Sequence, residues 1–304
     1  MRCLSFICGL FFGAAVLSAQ PKSEPTYNVE VEYDAVYAVA DGYWAEAPES
    51  TWGRSRLLFR RSDSRQPLEL KLDIYLPADD TSHFPRPLLL VMHGGAFFLG
   101  HKAEIGHVEW CRHFASLGYV AVSMDYRLGF PVDKPGFARA EQEAVEDAGN
   151  ALQYLLERED LGIDPDQVYL AGTSAGAAAM LALAYGGQAP GCRIRAVANL
   201  WGYMHKLEEL ENACIPILSY QSERDPVVPY REGYPMGMRF LTDKFYGTLA
   251  VYERATALGI PCEHHPCPEK RHRLQMDKRG ALTPRFYEIR DRMAAFFAAA
   301  GQDP

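Results

Sequence analysis

Apolar and polar positions along this chain fall into two alternating regimes. Over residues 56–59 and 68–75 they alternate one by one, as in strands with one face in water, and Pro77 ends the second run. These segments predict an antiparallel start to a sheet. Residues 88–92 (Leu-Leu-Leu-Val-Met) are apolar throughout, the pattern of a strand covered by helices on both faces. From there the period switches repeatedly. It reads as helix over 107–117, strand over 119–124, helix over 140–157, strand over 168–171 and helix over 175–185. Strands over 194–200 and 215–220, a helix over 240–258, a strand over 261–266 and a last helix over 284–299 follow. This alternation predicts an α/β fold, with a mostly parallel central sheet of about eight strands and helices on both faces. In such sheets ligands sit beyond the carboxyl ends of the strands, so the residues just after each strand are the ones to read for chemistry.

The N-terminal part departs from this pattern. Met1-Arg2, an apolar run from Leu4 to Leu17 and the small pair Ser18-Ala19 have the order of a secretory leader over residues 1–19. The apolar run is shorter than the roughly 20 residues of a membrane-spanning helix, so a secreted or periplasmic protein with no stable membrane span is expected. Residues 20–55, rich in Tyr, Ala, Glu and Asp without clear period, read as an N-terminal extension lying on a main domain over 56–304. With no internal repeat and no linker, the 304 residues suit one large domain. The net charge of −8 and the scattered basic residues argue against nucleic acid as a partner. Oligomeric state is left open. Beyond the leader, Cys111, Cys192, Cys214, Cys262 and Cys267 are odd in number, so at least one of them must carry a thiol. Cys192 and Cys214 each precede a predicted strand, where they are placed either to bridge at the bottom of the sheet or to act as small buried side chains. No spacing resembles a zinc site.

Chemistry concentrates after the strands. The strand ending at Ala171 runs into Gly172-Thr173-Ser174-Ala175-Gly176 and then a small-residue helix, a G-x-S-x-G turn in a strand–turn–helix context. That turn lifts the Ser174 hydroxyl clear of the chain as a nucleophile. His93-Gly94-Gly95-Ala96-Phe97 follows the buried strand, and the amides of Gly95, Ala96 and Ala175 are the expected donors of an oxyanion hole. His93 itself reads as structural. A nucleophilic serine needs an acid and then a histidine later in the chain. Asp225 stands after the strand over 215–220 and is preferred to Glu223, nearer the strand end, and to Asp243, nearer the next helix. His272 lies in a loop between the last strand and the last helix, whereas His264 and His265 fall inside a strand at the sheet edge.

With these residues in place, the chain resembles the bacterial carboxylesterase and lipase group of α/β-hydrolases, including hormone-sensitive-lipase-like and acyl-carbohydrate esterases. Leu72-Asp73-Ile74-Tyr75-Leu76-Pro77, Asp125-Tyr126-Arg127-Leu128 and Glu146-Asp147 match as well. Ala96, where many relatives carry a third glycine, and Arg271, where glycine commonly precedes the histidine, depart from the group. The resemblance implies the α/β-hydrolase fold from about Leu68 onward and hydrolysis of short-chain or carbohydrate-linked carboxylic esters, acetyl or feruloyl, through an acyl-enzyme. Such chemistry needs no cofactor or metal, and the partner is a small-molecule or carbohydrate ester. Two other readings stand beside it: an amidase of the arylformamidase kind, which shares the His-Gly-Gly loop, and a non-catalytic binding protein on the same fold. Residues 129–137 and 201–205, rich in aromatic side chains, are placed either to wall the pocket or to cap the core.

Overall fold

Strand β1 (Val29–Gly42) pairs antiparallel with β2 (Gln66–Pro77), which in turn pairs antiparallel with β4 (Val120–Met124). Strands β3 (Arg86–Met92), β5 (Ile163–Thr173), β6 (Ile194–Leu200), β8 (Ile217–Ser222) and β11 (Cys262–Cys267) complete one eight-stranded sheet in the order β1-β2-β4-β3-β5-β6-β8-β11, parallel from β4 onward. A small sheet of β7 (Tyr203–Met204), β9 (Glu232–Gly233) and β10 (Phe245–Gly247) lies apart from it. This computed structural model describes residues 22, 24–46, 64–80, 85–187 and 189–302. The expected leader over 1–19 and the expected strand over 56–59 lie outside the described residues.

The central strands bury both faces because their neighbours alternate between two helical layers. On β3, Leu88, Leu90 and Met92 face a core shared with α2 (Lys134–Glu157), α3 (Ala175–Tyr185) and α4 (Thr248–Leu258), through Ala144, Met180 and Val251. Leu89 and Val91 face the opposite core with α1 (Ile105–Ser116) and α5 (Pro284–Ala300), through Trp110, Phe114, Ile289 and Phe297. A period-2 strand between two apolar layers has to be apolar at every position, as 88–92 is.

Three expectations need correction. Within the expected extension over 20–55, residues 29–42 are not laid on the domain but supply the outermost strand of its sheet, β1. Its period is hidden by two register shifts, at Glu32/Ala35 and Val36/Ala38. Val29 and Val31 accordingly pack into one core and Ala35 and Tyr37 into the other, although all four share odd parity. Asp34, with φ of 59°, forms the first bulge and its N–H is held by Asp73 Oδ1 at 2.9 Å. Helix α2 begins at Lys134 rather than 140, because Asp133 caps it by accepting from the Gly136 amide at 2.7 Å, with Pro135 in the first turn. The helix expected over 240–258 starts only at Thr248, since Phe245–Gly247 is taken up by pairing with β7 and β9. Among the described residues no disulfide joins any cysteines, so Cys192 and Cys214 are not bridged. No described helix is long and apolar enough to cross a membrane.

Candidate active site

The turn from β5 into α3 is sterically determined. Ser174 sits at φ 51° and ψ −118°, a conformation that costs an L-residue energy and is held only by its surroundings. The two glycines around it are required by close approach. A Cβ on Gly172 would lie 2.5 Å from the Gly176 carbonyl carbon, and one on Gly176 would lie 2.4 Å from the Met92 carbonyl oxygen. The Ser174 amide donates to Leu200 O on the neighbouring strand at 2.9 Å, which fixes the turn against β6. Its side chain is left at the head of α3, where the helix dipole favours negative charge.

The structure brings Ser174, His272 and Asp225 together from three separate stretches. His272 Nε2 lies 2.8 Å from Ser174 Oγ, and His272 Nδ1 lies 2.8 Å from Asp225 Oδ2. With a neutral ring, Nδ1–H donates to the carboxylate and Nε2 accepts from the serine hydroxyl. The Asp225 side chain is fully buried, while that of His272 keeps 15% of its surface. The other Asp225 oxygen, Oδ1, accepts from the amides of Val227 at 2.8 Å and Val228 at 3.2 Å, so the turn after β8 is wound around the carboxylate. Gln221 also holds it. Its Nε2 donates to Asp225 Oδ2 at 3.2 Å and to Val228 O at 2.9 Å, while its Oε1 accepts from the amide and hydroxyl of Thr248 at 3.1 and 2.9 Å. Gln221 carries no local motif, and the sequence reading passes over it.

The rival residues are elsewhere. Asp243 is exposed and paired with Lys134 at 2.9 Å, and Glu223 is exposed. On β11, His264 Nε2 meets the Tyr230 hydroxyl at 2.7 Å and His265 Nε2 meets Glu263 Oε2 at 3.1 Å.

Gly94, Gly95 and Ala96 line the same cavity as Ser174 and His272, about 270 Å³ in volume. The loop turns through consecutive positive φ at Gly95 (116°), Ala96 (56°) and Phe97 (57°). A trans peptide points its C=O and N–H in opposite directions. The Gly95 carbonyl is taken inside the loop by the amides of Phe98 and Leu99, at 3.0 and 2.9 Å, so the Ala96 N–H faces outward. The Gly94 carbonyl meets His93 Nδ1 at 2.7 Å, so the Gly95 N–H likewise points away from the ring. The Ala175 N–H opens α3 and has no acceptor within the helix.

Burial drives the His93 pKa down to about 3 and pushes the Asp125 carboxyl, 3.8 Å away, up to about 8. The ring is stacked on Tyr126, whose hydroxyl donates to His93 O at 2.9 Å. These contacts order the loop.

The remaining wall was only partly foreseen. Trp201, with φ of 48°, lines the cavity together with Val227, Met236, Glu104, Arg273 and Gln275. Tyr203 and His205 border a different cavity, of about 600 Å³, with Lys134 and Glu141. Phe130 and Phe137 are core residues packed edge to face at 5.5 Å and take no part in the wall. Among the described residues no group of three or more His, Cys, Asp or Glu side chains is placed to hold a metal ion.

Comparison with known proteins fits this architecture. A stretch of 137 residues is 34% identical to the non-reducing polyketide synthase Preu3 of Preussia isomera, covering 44% of this chain and 5% of that one. Over 108 residues the chain is 33% identical to the probable isoprenylcysteine alpha-carbonyl methylesterase of Oryza sativa subsp. japonica, covering 35% and 23%. The chain thus spans less than a quarter of the length of these relatives. Among solved structures, Thermogutta terrifontis esterase 2 superposes with a TM-score of 0.60 at 18% identity, covering 90% of this chain and 94% of that one. Esterase B of Lactobacillus rhamnosis superposes with a TM-score of 0.56 at 17% identity, covering 91% and 88%. The profile of the BD-FAE family matches residues 72–225, half of the chain and the whole run from β2 to the acid-bearing turn after β8. The chain belongs to the BD-FAE family, within the esterase and lipase group of α/β-hydrolases.

Proposed function

We propose that the protein is a serine carboxylesterase that cleaves short-chain or carbohydrate-linked carboxylic esters through an acyl-enzyme. One observation carries this: a serine–imidazole–carboxylate relay with both contacts at 2.8 Å opens on a cavity that outward-facing backbone amides also line. In that arrangement Ser174 Oγ attacks the ester carbonyl carbon while His272 Nε2 takes its proton. Asp225 holds the ring and stabilises its charged form. The carbonyl oxygen, now negative, is received by the amides of Gly95, Ala96 and Ala175, each such donor being worth about 3 kcal/mol. His272 returns the proton to the leaving alkoxide, and the acyl group stays on Ser174. Water then attacks the acyl-enzyme, giving its proton to His272, and the acid departs as Ser174 Oγ is reprotonated.

The cavity size supports a short acyl group, since about 270 Å³ lies below the ~300–1,000 Å³ of pockets that hold drug-sized ligands. Support comes also from the similar proteins, three of which carry esterase in their names. The finer assignment, to acetyl or feruloyl groups on carbohydrate, is part of this proposal and is read out with acetylxylan and feruloyl sugars. Purified protein is expected to hydrolyse p-nitrophenyl acetate and butyrate. Ser174→Ala is expected to lower kcat by about 10⁴-fold or more with the fold intact by circular dichroism. Full activity in that variant would end the proposal, and faster turnover of formanilides than of matched esters would replace it with amide cleavage.

A further inference from the structure

Backbone strain in this molecule is concentrated at one place. Among the described residues, the non-glycine positions with positive φ are Asp34, Ala96, Phe97, Ser174, Trp201 and Met236. Ala96, Ser174, Trp201 and Met236 all line the cavity over Ser174, and Phe97 continues the loop of Ala96. Such conformations persist only where the surrounding structure holds them, and they gather at sites that act on ligands. Ser174 is the nucleophile of the proposed reaction and Ala96 belongs to its oxyanion loop. Met236 has no part in that chemistry, yet its backbone is held in the same way.

The turn that carries it is tied at successive residues. The Met236 N–H donates to Val227 O at 2.9 Å, the Gly237 N–H to Tyr234 O at 3.0 Å and the Met238 N–H to Pro235 O at 2.8 Å. Met236 at φ 49° and Gly237 at 74° are both left-handed, so the chain reverses sharply at this point. The Arg239 guanidinium lies 5.2 Å from the centre of the Tyr234 ring, and Pro235 is buried. Through Val227, Met236 is joined to the turn whose amides hold the Asp225 carboxylate.

Exposure tells where on the cavity wall Met236 stands. Among the described lining residues only Ala96 and Met236 are exposed, the methionine keeping 56% of its surface. A residue that borders a cavity and still meets bulk water stands at the mouth. Ala96 presents no more than a methyl group there, so the thioether chain is the large side chain at the entrance. In the free protein that adaptable chain leaves apolar surface in water. A substrate whose apolar part reaches out of the cavity, about 270 Å³ in volume, covers this surface, and the water released favours binding.

We propose that Met236 is a specificity-determining residue, an apolar ledge fixed at the mouth that contacts an alkyl or aryl segment of the ester extending beyond the cavity. The preferred substrates then carry such a segment on one half of the ester. This rests on the esterase reading above and adds to it a contact outside the reacting centre.

The test measures kcat/KM for ethyl acetate, hexyl acetate and ethyl hexanoate, so that the alcohol half and the acyl half are lengthened in turn. In the wild-type protein one of the long esters is expected to exceed ethyl acetate about tenfold, equivalent to about 1.4 kcal/mol. Which one it is names the half that reaches Met236. In Met236→Ser the ratio is expected to fall towards one, whereas Met236→Leu, apolar and of similar size, keeps it. A turn that is merely loosened slows all three esters together and leaves the ratio as it was, and that result overturns the proposal. So do wild-type ratios near one. Should the variants not fold, native protein treated with hydrogen peroxide gives a second reading. Peroxide transfers one oxygen to Met236 Sδ and leaves as water, and the ledge becomes polar. With the sulfoxide placed at Met236 by peptide mass, the ratio is expected to fall, and an unchanged ratio again overturns the proposal. Failure of the wild-type protein on all three esters and on p-nitrophenyl acetate refutes the esterase reading. Turnover of p-nitrophenyl acetate without a chain-length preference refutes the Met236 ledge alone.

Discussion

The turn that carries Ser174 and the loop that carries His272 meet at one hydrogen bond, but they are held by different forces. The first is fixed by exclusion: Gly172 and Gly176 leave no room for any larger residue, and the strained Ser174 backbone is pinned between β6 and the end of β3. The second is fixed by polar ties. Ser222 Oγ donates to Glu269 O, Arg224 donates to Pro268 O at 2.6 Å, Arg273 pairs with Glu104, and Thr283 Oγ1 donates to Leu274 O at 2.7 Å. Steric fit gives a single position that cannot be adjusted, whereas a set of hydrogen bonds can be weakened one at a time. A nucleophile needs the former and a group that must both take and return a proton tolerates the latter.

The largest effect that separates the two regions is chemical. His272→Ala is expected to lower esterase kcat by about 10⁴-fold, while His264→Ala and His265→Ala keep it within a few-fold of wild type. Loss of activity in either β11 variant with retention in His272→Ala would move the base onto the sheet edge and dissolve the comparison.

The next effect is on stability. Gly176→Ala places a Cβ against the Met92 carbonyl and is expected to cost about 1–3 kcal/mol, read as a lower urea midpoint, together with most of the activity. An unchanged midpoint would mean that the turn can yield and is not sterically fixed. In the polar loop, Glu104→Gln keeps shape but removes the charge that holds Arg273, and a fall in kcat/KM of about three- to tenfold is expected, with a stability change under about 1 kcal/mol. A loss as large as that of His272→Ala would show that this tie alone positions the base.

The smallest effect is the dependence of stability on pH, and it comes from the residues behind the two regions. Between about pH 3 and 8 the buried His93 and Asp125 pair holds one proton, since the ring is pushed down to about 3 and the carboxyl up to about 8. Unfolding releases that proton above roughly pH 6.5, the ordinary histidine value, so the pair loses stabilising effect as pH rises towards 8. His107, fully buried and within 3.2 Å of Thr173 Oγ1, is held neutral well below its usual value by burial. The unfolded chain binds a proton there below about 6.5, so this contribution is lost as pH falls. The three groups together favour maximal stability near pH 6.5. Urea midpoints at pH 5, 6.5 and 8 check the sign, and a midpoint that rises steadily in either direction would contradict it.

Much of this site is legible without coordinates. Ser174 is legible because a strand, two glycines and a small-residue helix are contiguous. Asp225 and His272 are legible because each follows a strand in the required order. The walls are different: Trp201 is flagged by the aromatic run after its strand, but Val227, Met236 and Gln275 join it in the cavity from separate places and carry no local signal. Gln221 resembles any polar residue late in a strand. In β1 the signal exists but is scrambled, because two bulges carry its apolar residues from one core to the other.

What the chain by itself determined is therefore the set of strands and helices, the strained turn and the types of group that meet there, since period, glycine spacing and order are properties of neighbours in sequence. Only the tertiary structure decided that residues 29–42 form the outer strand and which side chains line the cavity. Those depend on burial and on contacts between distant segments, and burial is a property of the folded whole.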